Sequence, residues 1–185
     1  SPGGAWRSDS TGFRAAPSYP ANVNPFLLGS VRWTTTDRQG DGEVRWTPTI
    51  PETGSYAVSV AYAATDSSTQ DAHYTVYHAG GNTAFRVNQR AGGGTWHYLG
   101  TFIFRRGTSP DSGSVRLTTA SAVPGLRISA DAVRFGGGMG SVERGGGVSG
   151  RPRFMEGARY YLQFAGMPDT LVYNLNANQN DYRDD

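Results

Sequence analysis

The sequence predicts an all-β fold, an antiparallel β-sandwich of jelly-roll type, followed by a Gly-rich linker and a short helix. Three observations carry this. Eight short runs rich in Val, Thr, Tyr and Phe recur at close spacing between residues 30 and 135. Several of them alternate apolar and polar residues with a period of two. The joints between them carry Gly, Pro and Asn, the residues of tight turns.

The elements follow in order. Residues 1–29 read as irregular, punctuated by Pro2, Pro17, Pro20 and Pro25, with Phe26-Leu27-Leu28 as an apolar plug over one end of the sandwich. Strands are expected at 30–36, 42–49, 54–63, 71–79, 83–89, 96–104, 114–119 and 126–135. In the third, Tyr56, Val58, Val60 and Tyr62 share one face. In the fourth, Ala72, Tyr74, Val76 and His78 do so, and in the fifth Phe85 and Val87 oppose Arg86 and Asn88. One apolar face per strand suits antiparallel sheets packed on one side. Pro51-Glu52-Thr53-Gly54 fits a turn ending in Gly. Ala79-Gly80-Gly81-Asn82 fits a hairpin whose residues accept positive φ, and Ala91-Gly92-Gly93-Gly94 repeats the pattern. The sandwich is placed at 30–136 and the linker at 137–153. Residues 154–185 are a helix over 154–165 plus a polar tail, which together read as a fragment of an adjoining domain.

Composition narrows the function. All 17 basic residues are Arg, the formal net charge is +2, and the arginines are scattered rather than striped. Nucleic acid is therefore not expected as a partner. No run is long and apolar enough for a membrane helix. With no Cys, thiol catalysis and thiolate metal sites are excluded within these residues. His73, His78 and His97 do not fall into a metal or nucleophile motif, and each reads as a structural strand residue. Asp131, in an otherwise apolar strand, reads as an inward carboxylate anchoring turn amides or pairing with Arg; a structural calcium ligand is the alternative. No catalytic residue, resident metal or cofactor is expected.

Binding is the better-supported chemistry. Sugars offer apolar ring faces to aromatics and hydroxyl edges to Arg, Asn, Gln and Asp. Trp33, Trp46, Tyr62, Tyr77, Trp96 and Tyr98 stand among Arg32, Arg45, Asn88, Gln89 and Arg90. Trp46 and Trp96 are assigned to the core. Trp33, Tyr77, Arg90 and Asn88 are the candidate ligand contacts.

Several segments together resemble a known family. These are Trp46-Thr47-Pro48, Gly54-Ser55-Tyr56, Asp71-Ala72-His73-Tyr74-Thr75-Val76-Tyr77-His78-Ala79-Gly80-Gly81, Val87-Asn88-Gln89, Trp96-His97-Tyr98-Leu99-Gly100-Thr101-Phe102 and Ala130-Asp131-Ala132-Val133-Arg134-Phe135. Over roughly 30–135 they are similar to the golvesin and xanthan-lyase-type carbohydrate-binding-like module. The resemblance implies a β-sandwich carried by an exported bacterial enzyme of the cell envelope or of polysaccharide degradation. The tail, with Gly136-Gly137-Gly138-Met139-Gly140, Ser149-Gly150-Arg151-Pro152-Arg153-Phe154 and Glu156-Gly157-Ala158-Arg159-Tyr160, resembles a junction at which such a sandwich interrupts a zinc amidase-like domain. That domain is of the N-acetylmuramoyl-L-alanine amidase kind, and its zinc-binding His and Glu motifs are not in these residues.

The expectation is thus a non-catalytic, carbohydrate-binding-like module. Its partners would be a polysaccharide or peptidoglycan glycan and a catalytic domain in the same polypeptide. Two alternatives stand beside it: a structural module that positions the catalytic domain without binding sugar, and an insert plus a fragment of a zinc-dependent amidase-like hydrolase.

Overall fold

The computed structural model describes residues 5–16 and 22–136, together with the backbone of 159–162 and 171–174. The strands are β1 Arg7–Gly12, β2 Gly29–Thr35, β3 Glu43–Trp46, β4 Gly54–Val60, β5 Ala72–His78, β6 Gly81–Val87, β7 His97–Phe104, β8 Ser114–Thr118, β9 Arg127–Ala130 and β10 Val133–Phe135. They pair antiparallel into three sheets: β3-β8-β5-β6, β1-β2-β9 and β10-β4-β7. The segment 127–135 is continuous, so one stretch of chain joins the last two sheets.

The core lies between these sheets and the four-stranded one. Tyr56, Val58, Val60 and Phe104 meet Ala72, Tyr74, Val76, Val115 and Leu117, with Ile128 and Ala130 beside them. All-β, antiparallel and sandwiched, the architecture is the one the alternation predicts. On β4 the opposite face is buried as well, because Ser59 sits between its cross-strand partners Arg134 and Tyr98. Small side chains there are covered by large neighbours.

Three local expectations need correction. Residues 1–29 are not wholly irregular, since β1 pairs with β2. Its sequence, Arg-Ser-Asp-Ser-Thr-Gly, has no apolar alternation and so carries no strand signal. Backbone proximity holds it instead: a Cβ on Gly12 would lie 2.4 Å from the Ser30 carbonyl carbon, and one on Gly29 2.1 Å from the Phe13 oxygen. The final strand, expected unbroken over 126–135, divides at Asp131 and Ala132, where the chain passes from one sheet to the next. The helix over 154–165 lies mostly outside the described residues. Its stretch Arg159–Leu162 is a strand (β11), paired antiparallel with Leu171–Asn174 (β12). The register sets Tyr160 opposite Tyr173 and Tyr161 opposite Val172, residue types that favour strands. The linker at 137–153 lies outside the described residues.

Phe26 fulfils the expected plug in part. A 3-10 turn, Pro25–Leu27, is capped by the Asn24 side chain, which accepts the Phe26 N–H at 3.0 Å. Phe26 packs against Phe13 and Trp96, at 5.2 and 5.5 Å between ring centroids. Leu27 and Leu28 remain exposed.

Candidate functional site

The four candidate contacts do not converge. Trp33, on β2, has the guanidinium of Arg7 at 5.2 Å from its ring centroid and that of Arg127 at 4.4 Å. These come from β1 and β9, the strands on either side, so the ring is bracketed rather than bare. Asn88 and Arg90 are exposed just past the end of β6. There the Asn88 side chain accepts the Arg90 N–H at 3.0 Å, and Arg90 Nε donates to the Ser68 carbonyl at 3.0 Å. Both groups serve the turn. Tyr77 pairs with Asn82, while β6 leaves the sheet at the Ala72–Val87 pair, so Tyr77 and the Asn88–Arg90 turn sit at opposite ends of the hairpin. Gln89, grouped with them in sequence, is fully buried.

Trp46 stacks on Tyr74 at 6.5 Å and packs on the core as expected. Trp96 lies apart from the main core, in the aromatic cluster with Phe13 and Phe26, with Arg134 5.2 Å from its ring.

The histidines are also apart. His97 stacks on Tyr62 at 4.6 Å and His78 on Phe102 at 4.8 Å. His73 Nε2 lies 3.0 Å from Asp71 Oδ2 and touches Arg86. Among the described residues, no three His, Cys, Asp or Glu come together as a metal site.

Two regions have the makings of a binding site. The first is the outer face of the sheet β3-β8-β5-β6. Val44, Trp46, Val115, Leu117, Tyr74, Val76, Phe85 and Val87 turn to the core. Alternation therefore turns their neighbours outward, and register sets those in rows: Glu43, Thr118, His73 and Arg86, then Arg45, Arg116, Thr75 and Ala84. Tyr77 belongs to this face. Arg45 lies 5.1 Å and Arg116 5.7 Å from its ring centroid. Sequence reasoning found Tyr77 but missed the arginine pair, which only the β3–β8 register brings together.

Charge on this face is uneven. Arg86 donates to Asp71 at 2.7 and 2.8 Å, a closed pair. Burial alone would raise the Asp71 carboxyl, but the hydrogen bonds from His73 and Arg86 outweigh it and hold the group below its ordinary value. Among the described residues, the one carboxylate recorded near Arg45 and Arg116 is that of Glu43, at 3.8 Å from each, too far for a hydrogen bond.

The second region is a cleft of 240 Å³ lined by Thr11, Phe26, Tyr62 and Asp131, among others. The Tyr62 hydroxyl donates to the carbonyls of Asn88 and Ala91 at 3.0 and 2.9 Å, so it faces backbone. Both Asp131 oxygens accept the Phe13 N–H, at 2.9 and 3.0 Å, anchoring the segment after β1 to the sheet crossover. Burial raises the Asp131 carboxyl, and the bond from Phe13 only partly offsets this.

A raised acid costs stability once ionised: the penalty is absent below the unfolded value and grows as pH rises through the folded one. Asp131→Asn, which keeps an acceptor for Phe13, is expected to raise the melting temperature at pH 7. The gain should vanish below pH about 3.8, the ordinary Asp value. Melting curves from pH 3 to pH 8 check this, and a gain that persists in acid would contradict it.

A family model described as the Golvesin C-terminal domain matches residues 27–137. Xanthan lyase of Bacillus sp. (strain GL1) is 38% identical over 98 residues, which are 52% of this chain and 10% of that protein. The solved structure of a Paenibacillus xanthan lyase superposes with a TM-score of 0.56 at 26% identity, covering 72% of this chain and 11% of the other. The chain thus spans about a tenth of the relatives it matches.

Proposed function

The chain belongs to the Golvesin C-terminal domain family, and from that premise we propose that it is a non-catalytic, glycan-binding module of an exported bacterial cell-wall or polysaccharide-degrading enzyme. Its work is to keep an adjoining catalytic domain near its polymer, by the effective-concentration effect of a tethered second site. The observation that carries this reading is the outer face of β3-β8-β5-β6. It is an open, ordered surface of guanidinium, hydroxyl, imidazole and carboxylate groups around Tyr77. Such groups match the hydroxyl edges of a polysaccharide. The names of the two relatives, both lyases of xanthan, support a polysaccharide as the partner.

One observation favours a second reading. Trp33 and Tyr77 both carry arginines against their rings, so neither offers a bare stacking platform. A module that only positions a neighbouring domain would also look like this.

Affinity electrophoresis in gels containing xanthan or soluble peptidoglycan fragments separates the two. The protein is expected to be retarded, and Tyr77→Ala to weaken retardation several-fold, by about 1 kcal/mol, with little change in melting temperature. Free migration in every gel would leave the positioning role standing.

A further inference from the structure

We propose that the glycan contact is selective for carboxylate-bearing polysaccharide, with Arg45 and Arg116 as the anion seat and Tyr77 as the residue that positions them. This rests on the glycan-binding reading above and adds the chemistry of the polymer.

The two arginines are direct cross-strand partners. Like charges so placed repel, and a sheet tolerates them where something compensates. The compensation present is incomplete. Among the described residues, Glu43 is the one carboxylate within 4 Å of either, at 3.8 Å from each, and it is half exposed. Arg45 also donates to the Pro110 carbonyl at 3.1 Å, which carries no net charge. Arg116 Nε is buried with no hydrogen-bond partner. Elsewhere on the same face Arg86 and Asp71 close on each other at 2.7 Å. The Arg45–Arg116 row therefore holds two cations against one distant anion.

The seat is preorganised. The side chains of Arg45 and Arg116 are 26% and 33% exposed, and both guanidiniums rest against the Tyr77 ring. Little side-chain freedom remains to be lost on binding. A carboxylate presents two oxygens and a full charge, so it can bridge two guanidiniums and cancel the excess. A hydroxyl can accept a hydrogen bond there but leaves the charge in place. A nucleic-acid backbone fits less well. It needs a stripe of cations, and this is a single pair with Glu43 3.8 Å from each member.

The test measures binding to xanthan and to alginate, each in native form and after reduction of its carboxyl groups to alcohols. Native polymer with carboxylates is expected to bind roughly tenfold more tightly than its reduced form, and added salt should narrow the gap. Arg45→Gln and Arg116→Gln should each remove most of this preference, weakening binding to the native polymer far more than binding to the reduced one. Arg45 lies on a sheet-edge strand, so Arg45→Gln keeps the test open if Arg116→Gln fails to fold. Tyr77→Leu should lower the preference and Tyr77→Phe restore it, which a merely space-filling role would not require. Equal binding of native and reduced polymers overturns the selectivity while leaving glycan binding intact. Binding to neither form overturns both. Displacement by a single-stranded oligonucleotide at equal charge concentration would mark a general polyanion surface and would also overturn the proposal.

Discussion

Phe104→Ala is expected to lower stability by about 3–5 kcal/mol, the largest effect of any single truncation considered for this fold. Phe104 is fully buried at the end of β7. Its ring meets Tyr56 edge-on at 6.0 Å and Phe135 at 5.4 Å. Those three residues come from β7, β4 and β10, the whole of one sheet, so the cavity would open where its strands meet the core. The backbone there cannot collapse inward without breaking the β4–β7 register, in which Phe104 faces Gly54. Denaturant titration measures the loss. A change below about 1 kcal/mol would mean that the neighbouring side chains refill the site.

Gln89→Leu is expected to cost about 3 kcal/mol or more, despite close similarity in volume. The side chain is completely buried. Its amide donates to the Tyr74 hydroxyl at 3.2 Å and to the Ser129 carbonyl at 2.9 Å, and its oxygen accepts the Ser129 N–H at 2.8 Å. Gln89, two residues past the end of β6, thus ties β5 to β9. Leucine would strand three buried polar groups, each costing about 1–3 kcal/mol. Gln89→Glu provides the contrast. It keeps the shape and the acceptor but loses the two donors, and should lose most stability at neutral pH, where the carboxylate is charged in a buried site. A Gln89→Leu protein as stable as the parent would show that water satisfies the orphaned groups.

How much of this was legible in the sequence depends on whether the signal was local. Strands β5 and β6 were legible because alternation over several residues goes with their one-sided burial, and β4 alternates in sequence although both its faces are buried. Strand β1 was not, because Arg7–Gly12 is polar throughout and its place depends on β2 passing close by at Gly29. The division of the final strand at Asp131 was half legible. An acid amid apolar residues marked a special position, and the structure uses it to hold the Phe13 amide. For the site, local reasoning picked Tyr77 as an outward aromatic, but its role differs from the one expected. The ring supports two guanidiniums that come from different strands. Arg45 and Arg116 are neighbours by register alone. Gln89 was misread for a related reason: glutamine is mostly exposed, and nothing near it in sequence tells that Tyr74 and Ser129 converge on it.

The crossing of 127–135 from one sheet to the other has a consequence for the order of assembly. Strand β2 is completed by β9, and β4 by β10, so two sheets wait on the same late stretch of chain. Pairings such as Thr34 with Ile128 join residues from nearly opposite ends of the sandwich. Loop closure on that scale must be paid before the contacts return anything, which makes folding slow and leaves nascent chain open. As the ribosome releases the polypeptide from its N-terminus, β3-β8-β5-β6 can pair once Thr118 has emerged, but the two facing sheets each lack a strand until Ala130 and Phe135 follow. The apolar face of β3-β8-β5-β6 therefore stays partly uncovered until the last strands arrive, and a chain shortened before residue 127 would lack part of the wall that hides it.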